Sequence, residues 1–270
     1  MDDPHPQSGR VLTAGLLIFV FVLYNMNNNN DDLTVALLDA SVGETPAERN
    51  VTRELDAEVR TYKVSEGEFP PRVDASERPF DAVVVSGSQT SVYDEEPWIA
   101  ATAAWVREAV KAGVPLLGVC WGHQLLARAV GGEVDPMGGI GELGYTTVER
   151  LETSDPLFDG VDPSFVAFET HTDEVTALPS AATPLAETER ALQAFRVENA
   201  WGVQFHPEYD RDTARWVTEN KRGWLDDETV DAVLETVTAE RHAQTAQATR
   251  VFDNFLAVAR RTSTPREVSN

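Results

Sequence analysis

Val114-Pro-Leu-Leu-Gly-Val-Cys-Trp-Gly-His-Gln-Leu-Leu-Ala-Arg-Ala-Val-Gly-Gly132 decides the fold. Its first six residues form an apolar run that predicts a strand over 114–119, and Leu125–Val130 predicts a helix halted by Gly131-Gly132. Between them the chain must turn from strand to helix within a few residues. Gly118-Val-Cys-Trp-Gly122 matches the nucleophile-elbow pattern G-x-S-x-G, with a thiol in place of the hydroxyl. Such a turn is sharp, so its near neighbours must be small, a need that Gly118 and Gly122 meet. The turn lifts the sulfur above the sheet edge and aims it at the first amides of the next helix, where partial positive charge favours an anion. The Trp121 N–H is then placed to donate to an oxyanion formed at a carbonyl that Cys120 attacks.

The flanking sequence repeats the strand-then-helix theme. Leu33–Leu38 predicts a strand, Ala47–Arg60 a helix entered at Pro46, and Val59–Val64 a second strand. Asp81–Val85 is another buried-strand run, ending in Ser86-Gly87-Ser88. A helix opens at Asp94-Glu-Glu-Pro97, carries Ile99, Ala103, Val106 and Val110 on one face, and stops at Gly113. Continuously apolar strands alternating with amphipathic helices predict an α/β fold: an open, mostly parallel sheet with helices on both faces. Further strands are expected over 145–151, 165–168, 191–197 and 202–205. After Pro207 two helices, or one broken helix, are expected to carry Val230, Val233, Leu234 and Val237, then Phe252, Phe255, Leu256 and Ala259. We therefore expect a catalytic-type domain over 33–215 and a helical C-terminal appendage over 216–270. Residues 1–32 read as a leader of doubtful status. Its apolar run Val11–Tyr24 is shorter than the ~20 residues of a spanning helix, so membrane anchoring is the lesser reading and a cytoplasmic location the preferred one. No small-residue cleavage pattern follows that run, and Met26 is an alternative start.

Composition narrows the partners. Twenty-two Lys+Arg against 45 Asp+Glu give a net charge of −23. A field that negative repels phosphate backbones and anionic headgroups, so neither nucleic acid nor an acidic membrane is an expected partner. Acidity with few lysines resembles proteins adapted to strong salt. One cysteine forbids an intrachain disulfide and a cysteine-based zinc cage.

A thiolate nucleophile wants a base, and the base wants a group to orient it. Among the five histidines, His5 lies in the leader, His242 is expected in solvent, and His123 is expected to pack locally. His171, in Glu169-Thr-His-Thr-Asp173, and His206, in Trp201-Gly-Val-Gln-Phe-His-Pro-Glu208, both follow strands, where open α/β sheets place reactive groups. His206 is favoured by its company: Glu208 is near enough to hold the imidazole in one tautomer and support its positive form. His206 and Glu208 supply two metal ligands at most, so no metal or other cofactor is expected.

Leu117-Gly-Val-Cys-Trp-Gly-His-Gln124 together with Gly202-Val-Gln-Phe-His-Pro-Glu208 resembles the paired signature of class I (triad-type) glutamine amidotransferases, over roughly residues 33–209. The resemblance implies Cys120 as nucleophile, His206 as general base and acid, and Glu208 as its orienting residue. It further implies an oxyanion hole from the amides of Trp121 and the Gly87–Ser88 loop, and a glutamine pocket involving Gln124, Thr170, His171, Thr172 and Asp173. Ser88 departs from the family's Ser-Gly-Gly-Pro type loop, standing where the second glycine is expected. Ser86-Gly-Ser88 with Val92-Tyr-Asp-Glu-Glu-Pro-Trp98 resembles a stand-alone branch similar to the glutaminase part of GMP synthase, to which plant γ-glutamyl peptidases are also similar.

The expected function is hydrolysis of the glutamine γ-amide through a Cys120 thioester. Met137-Gly-Gly-Ile-Gly141 lacks the lysine of a phosphate loop and is expected to be a loop over the pocket. About sixty residues follow Glu208, too few for an ATP-using synthetase domain, so a separate synthetase subunit would receive the ammonia. One alternative is a γ-glutamyl peptidase with the same triad; another is a non-catalytic binding module on the same fold.

Overall fold

The computed structural model describes residues 33–73, 79–151 and 154–262. The apolar run over 11–24 and His5 lie outside them. Among the described residues no helix is long and apolar enough to cross a membrane.

The expected α/β sheet is present. The strands are β1 (Thr34–Asp39), β2 (Glu58–Lys63), β3 (Ala82–Val85), β4 (Leu116–Val119), β5 (Glu133–Pro136), β6 (Glu142–Arg150), β7 (Ser164–His171), β8 (Asp173–Ala177), β9 (Thr183–Glu187), β10 (Leu192–Val197) and β11 (Ala200–Val203). Nine of them form one sheet in the order β2-β1-β3-β4-β11-β10-β9-β6-β7, while β5 and β8 pair separately. From β2 to β11 all neighbours are parallel; from β11 to β7 they are antiparallel.

Alternation along the parallel strands explains why both faces are covered. In β1, Val35 and Leu37 join one apolar cluster while Ala36 and Leu38 join another on the opposite face. The first face is covered by α1 (Ala47–Glu54) and the long final helix α7 (Ala246–Thr262). The second is covered by α2 (Pro97–Lys111) and α3 (Trp121–Ala129). Remaining helices are α4 (Arg211–Glu219), α5 (Asp227–Thr236) and the short α6 (Ala239–Ala243).

Several boundaries differ from the sequence expectation. The helix predicted over 47–60 ends at Glu54, because the alternating stretch Glu58–Lys63 pairs with β1 along its whole length. The helix predicted from Leu125 begins four residues earlier at Trp121, so it springs directly from the elbow. Strands β5, β8 and β9 were not expected; all are short, β5 and β9 are largely exposed, and β8 buries only Asp173 and Val175. The C-terminal region forms three helices after α4. Val251, Phe252, Phe255 and Leu256 of α7 are buried in the same cluster as Val35 and Trp201.

The elbow is enforced by close approach. A methyl group on Gly118 would sit 2.4 Å from the Gly122 carbonyl oxygen, and one on Gly122 would sit 2.4 Å from the Val85 carbonyl oxygen. No real side chain tolerates either distance, so α3 lies directly against β3 and β4 only because both positions are glycine. Gly122→Ala should therefore lower unfolding stability by about 1–3 kcal/mol or more. Gly138→Ala, whose added carbon meets nothing within 4 Å, should change it by less than about 0.5 kcal/mol. Denaturant unfolding of the two variants checks this, and equal losses would refute the packing argument.

Candidate active site

Cys120 stands between β4 and α3 with φ +52° and ψ −105°, a conformation rare for a residue with a side chain. Its own amide donates to the Val203 carbonyl at 2.8 Å, and its carbonyl accepts from the Gln124 amide at 3.1 Å. The strained residue is thus pinned to β11 on one side and to its helix on the other. β4 pairs in parallel with both β3 and β11, with Val85 opposite Gly118 and Val203 opposite Val119. The loops that follow these three strands therefore leave the sheet at the same carboxyl edge, which brings Gly87, Cys120 and His206 together.

His206 and Glu208 are both buried, and His206 Nδ1 is 2.8 Å from Glu208 Oε1. The ring stacks on Tyr209 with centroids 4.0 Å apart. The Nδ1 contact leaves Nε2 with no hydrogen-bond partner among the described residues. Burial alone would push the imidazole pKa down. The Glu208 carboxylate and charge on the Cys120 sulfur outweigh it and hold the pKa up at about 10. An imidazolium beside a sulfur, steered by a carboxylate, is an arrangement suited to acyl transfer.

Gly87 closes the gap between them. A methyl group there would lie 3.3 Å from His206 Cε1 and 3.7 Å from Cys120 Cβ, so one point beside this glycine touches both side chains. Ser86 Oγ fixes the loop by accepting from the Ala40 amide at 2.9 Å. Trp121 is the first residue of α3, so its amide has no acceptor within the helix; its ring packs inward on Trp98. Ser88 lines the adjoining cavity, with its hydroxyl 3.1 Å from that of Thr90.

The cavity has a volume of about 350 Å³. Its lining includes Ser88, Cys120, Thr170, His171, Thr172 and His206, and also Trp216, Lys221, Trp224 and Leu225, with Ile140 from the 137–141 loop. Arg190 holds that loop by donating to the carbonyl oxygens of Gly141 and, at 2.8 Å, of Gly138.

A family description, glutamine amidotransferase class-I, matches residues 37–220, which is most of the chain and includes Gly87, Cys120, His206 and Glu208 but stops short of Lys221, Trp224 and Leu225. The chain belongs to that family. Among curated proteins, a γ-glutamyl-L-1-hydroxyisopropylamide hydrolase from a Pseudomonas species is 28% identical over 83% of this chain and 79% of its own length. A glutamine-hydrolysing GMP synthase subunit from Sulfolobus acidocaldarius is 40% identical over 48% of this chain and 68% of its own length. The GMP synthase of Clostridium novyi is matched over only 24% of its length. Among solved structures, a glutamine amidotransferase from Thermotoga maritima superposes with a TM-score of 0.70 at 23% identity, covering 83% of this chain and 98% of its own. One from Methylobacillus flagellatus gives 0.69 at 21%, covering 84% and 95%. At those identities the structures establish the shared fold.

The other expected pocket residues of this amidotransferase-family chain divide into two sets. Thr170, His171 and Thr172 line the cavity. Gln124 and Asp173 brace the wall: Gln124 Nε2 donates to the Asp173 carbonyl and to Gln204 Oε1, both at 3.0 Å. The Asp173 carboxylate accepts from Ser91 Oγ at 2.6 Å and from Tyr93 OH at 2.8 Å. His171 Nε2 lies 3.0 Å from Glu142 and 3.3 Å from Glu169, while Nδ1 is 2.9 Å from the Asp173 carbonyl. Burial would lower the His171 pKa; the two carboxylates raise it to about 10. Glu169 is wholly buried, and desolvation pushes its carboxyl upward. Ligand atoms of Glu142, Glu169 and His171 lie within 4.8 Å of one another, a grouping able to hold a cation. Sequence spacing could not show it, because Glu142 arrives from β6, 27 positions before Glu169.

His123 packs, as expected, on the apolar side. It is fully buried against Phe195, and desolvation drops its pKa to about 3. His242, expected in solvent, is half-buried beside Tyr145, with Nδ1 3.2 Å from the phenol oxygen. The part of the lining that runs from Trp216 to Leu225 was not anticipated. Trp216 and Trp224 are exposed, which is the signal that could have marked a binding face.

Because the Glu208 carboxylate is the larger influence raising the His206 pKa, Glu208→Gln should lower it. Loss of the imidazolium would then set in at lower pH. The basic limb of the kcat/KM profile should move toward neutrality by at least one pH unit, with kcat/KM at neutral pH reduced about tenfold or more. An unmoved basic limb would show that Glu208 does not act through His206.

Proposed function

We propose that this chain is a cysteine hydrolase of γ-glutamyl amides whose leaving amine is larger than ammonia. Cys120 attacks the γ-carbonyl, and the resulting oxyanion is held by the amides of Trp121 and the Gly87–Ser88 loop. His206 protonates the departing nitrogen, and Cys120 keeps the γ-glutamyl group as a thioester. Glu208 holds the imidazole in the required tautomer. His206 then takes a proton from water, which cleaves the thioester to glutamate and restores the thiolate.

The observation that carries the choice of substrate is the cavity. Glutamine is a small ligand for about 350 Å³, and the lining includes Trp216, Trp224 and Leu225 as well as Cys120 and His206. The relative matched along most of both chains is a hydrolase of a γ-glutamyl amide with an organic leaving amine, which supports the same reading. A second reading is a glutaminase that passes ammonia to a separate synthetase subunit. It draws on the 40% identity to the Sulfolobus GMP synthase subunit over 48% of the chain.

Cys120→Ala should retain the fold and release neither ammonia nor amine, a drop of at least about a thousandfold given the non-additive collapse seen when a nucleophile is removed. In the wild type, amine release from γ-glutamyl ethylamide should exceed ammonia release from glutamine at least tenfold in kcat/KM. A preference for glutamine would favour the glutaminase reading. Ordinary turnover by Cys120→Ala would discard both.

A further inference from the structure

Charge in the cavity has one unexplained member. The chain has three lysines, Lys63, Lys111 and Lys221, among 45 acidic residues. Lys63 reaches Asp39 at 2.9 Å and Lys111 reaches Glu108 at 3.1 Å. Lys221, half-buried in the cavity wall, has no ion pair and no side-chain hydrogen bond among the described residues. Burial lowers its pKa, and charge on the Cys120 sulfur offsets this only in part. An ammonium half-withdrawn from water without a counterion is costly. In a protein of net charge −23, leaving it unpaired is more notable still. The lining carboxylate, Glu142, is already engaged by His171, Thr188 and Gln193.

The chemistry of the lining assigns the partner to one half of the substrate. His206 must face the nitrogen that departs. Its ring stacks on Tyr209, and both line the same cavity as Lys221. Ser88, Gln89, Thr170 and Thr172 also line the cavity and offer polar company to the glutamyl half. Trp216, Trp224 and Leu225 flank Lys221 with apolar surface. A group that satisfies this wall has a short apolar body and an anionic end.

We propose that Lys221 is a specificity-determining residue that binds a carboxylate on the leaving amine. The substrate class is then γ-glutamyl conjugates of amino acids or other acid-bearing amines. This rests on the hydrolase reading above and narrows it.

The test uses the full-length protein and two near-isosteric substrates, γ-glutamylglycine and γ-glutamyl ethylamide, which differ by a carboxylate in place of a methyl. The wild type should prefer γ-glutamylglycine at least tenfold in kcat/KM. Lys221→Met keeps the aliphatic stem and should raise KM for γ-glutamylglycine at least tenfold with kcat nearly preserved. The loss on γ-glutamylglycine should exceed that on γ-glutamyl ethylamide at least tenfold, and Lys221→Arg should recover part of it. Equal losses on both substrates would place Lys221 on the glutamyl half and overturn the proposal, as would no loss on either. A wild type that hydrolyses both but favours the ethylamide would overturn it while leaving the hydrolase reading intact. A wild type that hydrolyses no γ-glutamyl compound would overturn the hydrolase reading and this inference with it.

Discussion

The positive φ of Cys120 is the constraint on which the rest of this molecule depends. A residue with a side chain adopts that conformation only when its surroundings enforce it. Here the enforcement comes from the Val203 carbonyl, the start of α3, and two glycines through which helix and strands touch at backbone distance. The strain fixes the sulfur above the carboxyl edge of the parallel strands, and parallel pairing of β3, β4 and β11 delivers the other two loops to the same edge. Sheet topology and site geometry are therefore one fact seen at two scales.

Charge follows from that geometry. Three histidines sit within this part of the fold, and their neighbours give them different lives. His123, packed among apolar groups, is held neutral. His171, between Glu142 and Glu169, is a buried cation that ties the β6–β7 pair to the cavity wall. His206 is also held positive, by Glu208 and the Cys120 sulfur, and its Nε2 makes no other hydrogen bond among the described residues. A buried, partly unpaired polar group is destabilising by itself, and it is tolerated where a substrate completes it. His206 and Lys221 share that property, and both line one cavity.

Legibility in the sequence tracked physical cause. The elbow could be read because a strand, two glycines and a helix leave a strong local signature. The His206–Glu208 pair could be read because its members are two positions apart. Strands β1, β3, β4 and β11 announced themselves as short apolar runs, since parallel strands are buried on both faces. Signals that depend on distant partners were silent. The antiparallel strands β8 and β9 gain their order from pairing and bury only two residues each, and the Glu142–Glu169–His171 grouping needs β6 beside β7. The end of α1 was misplaced because Val59 continues a helical pattern until β1 claims it. Lys221 was invisible for another reason: a lone lysine matters only when its neighbours fail to pair it.

The central claim is that the Cys120 sulfur and the His206 imidazole form one electrostatic unit. Nitrogen NMR of the His206 ring across pH, before and after alkylation of Cys120, tests it most directly. In the free protein the ring should remain an imidazolium through neutrality, up to about 10. Capping the sulfur removes one of the two negative groups that sustain it, so titration should move to distinctly lower pH. Superimposable titration curves in the two states would mean that the side chains do not sense each other, and would contradict the account.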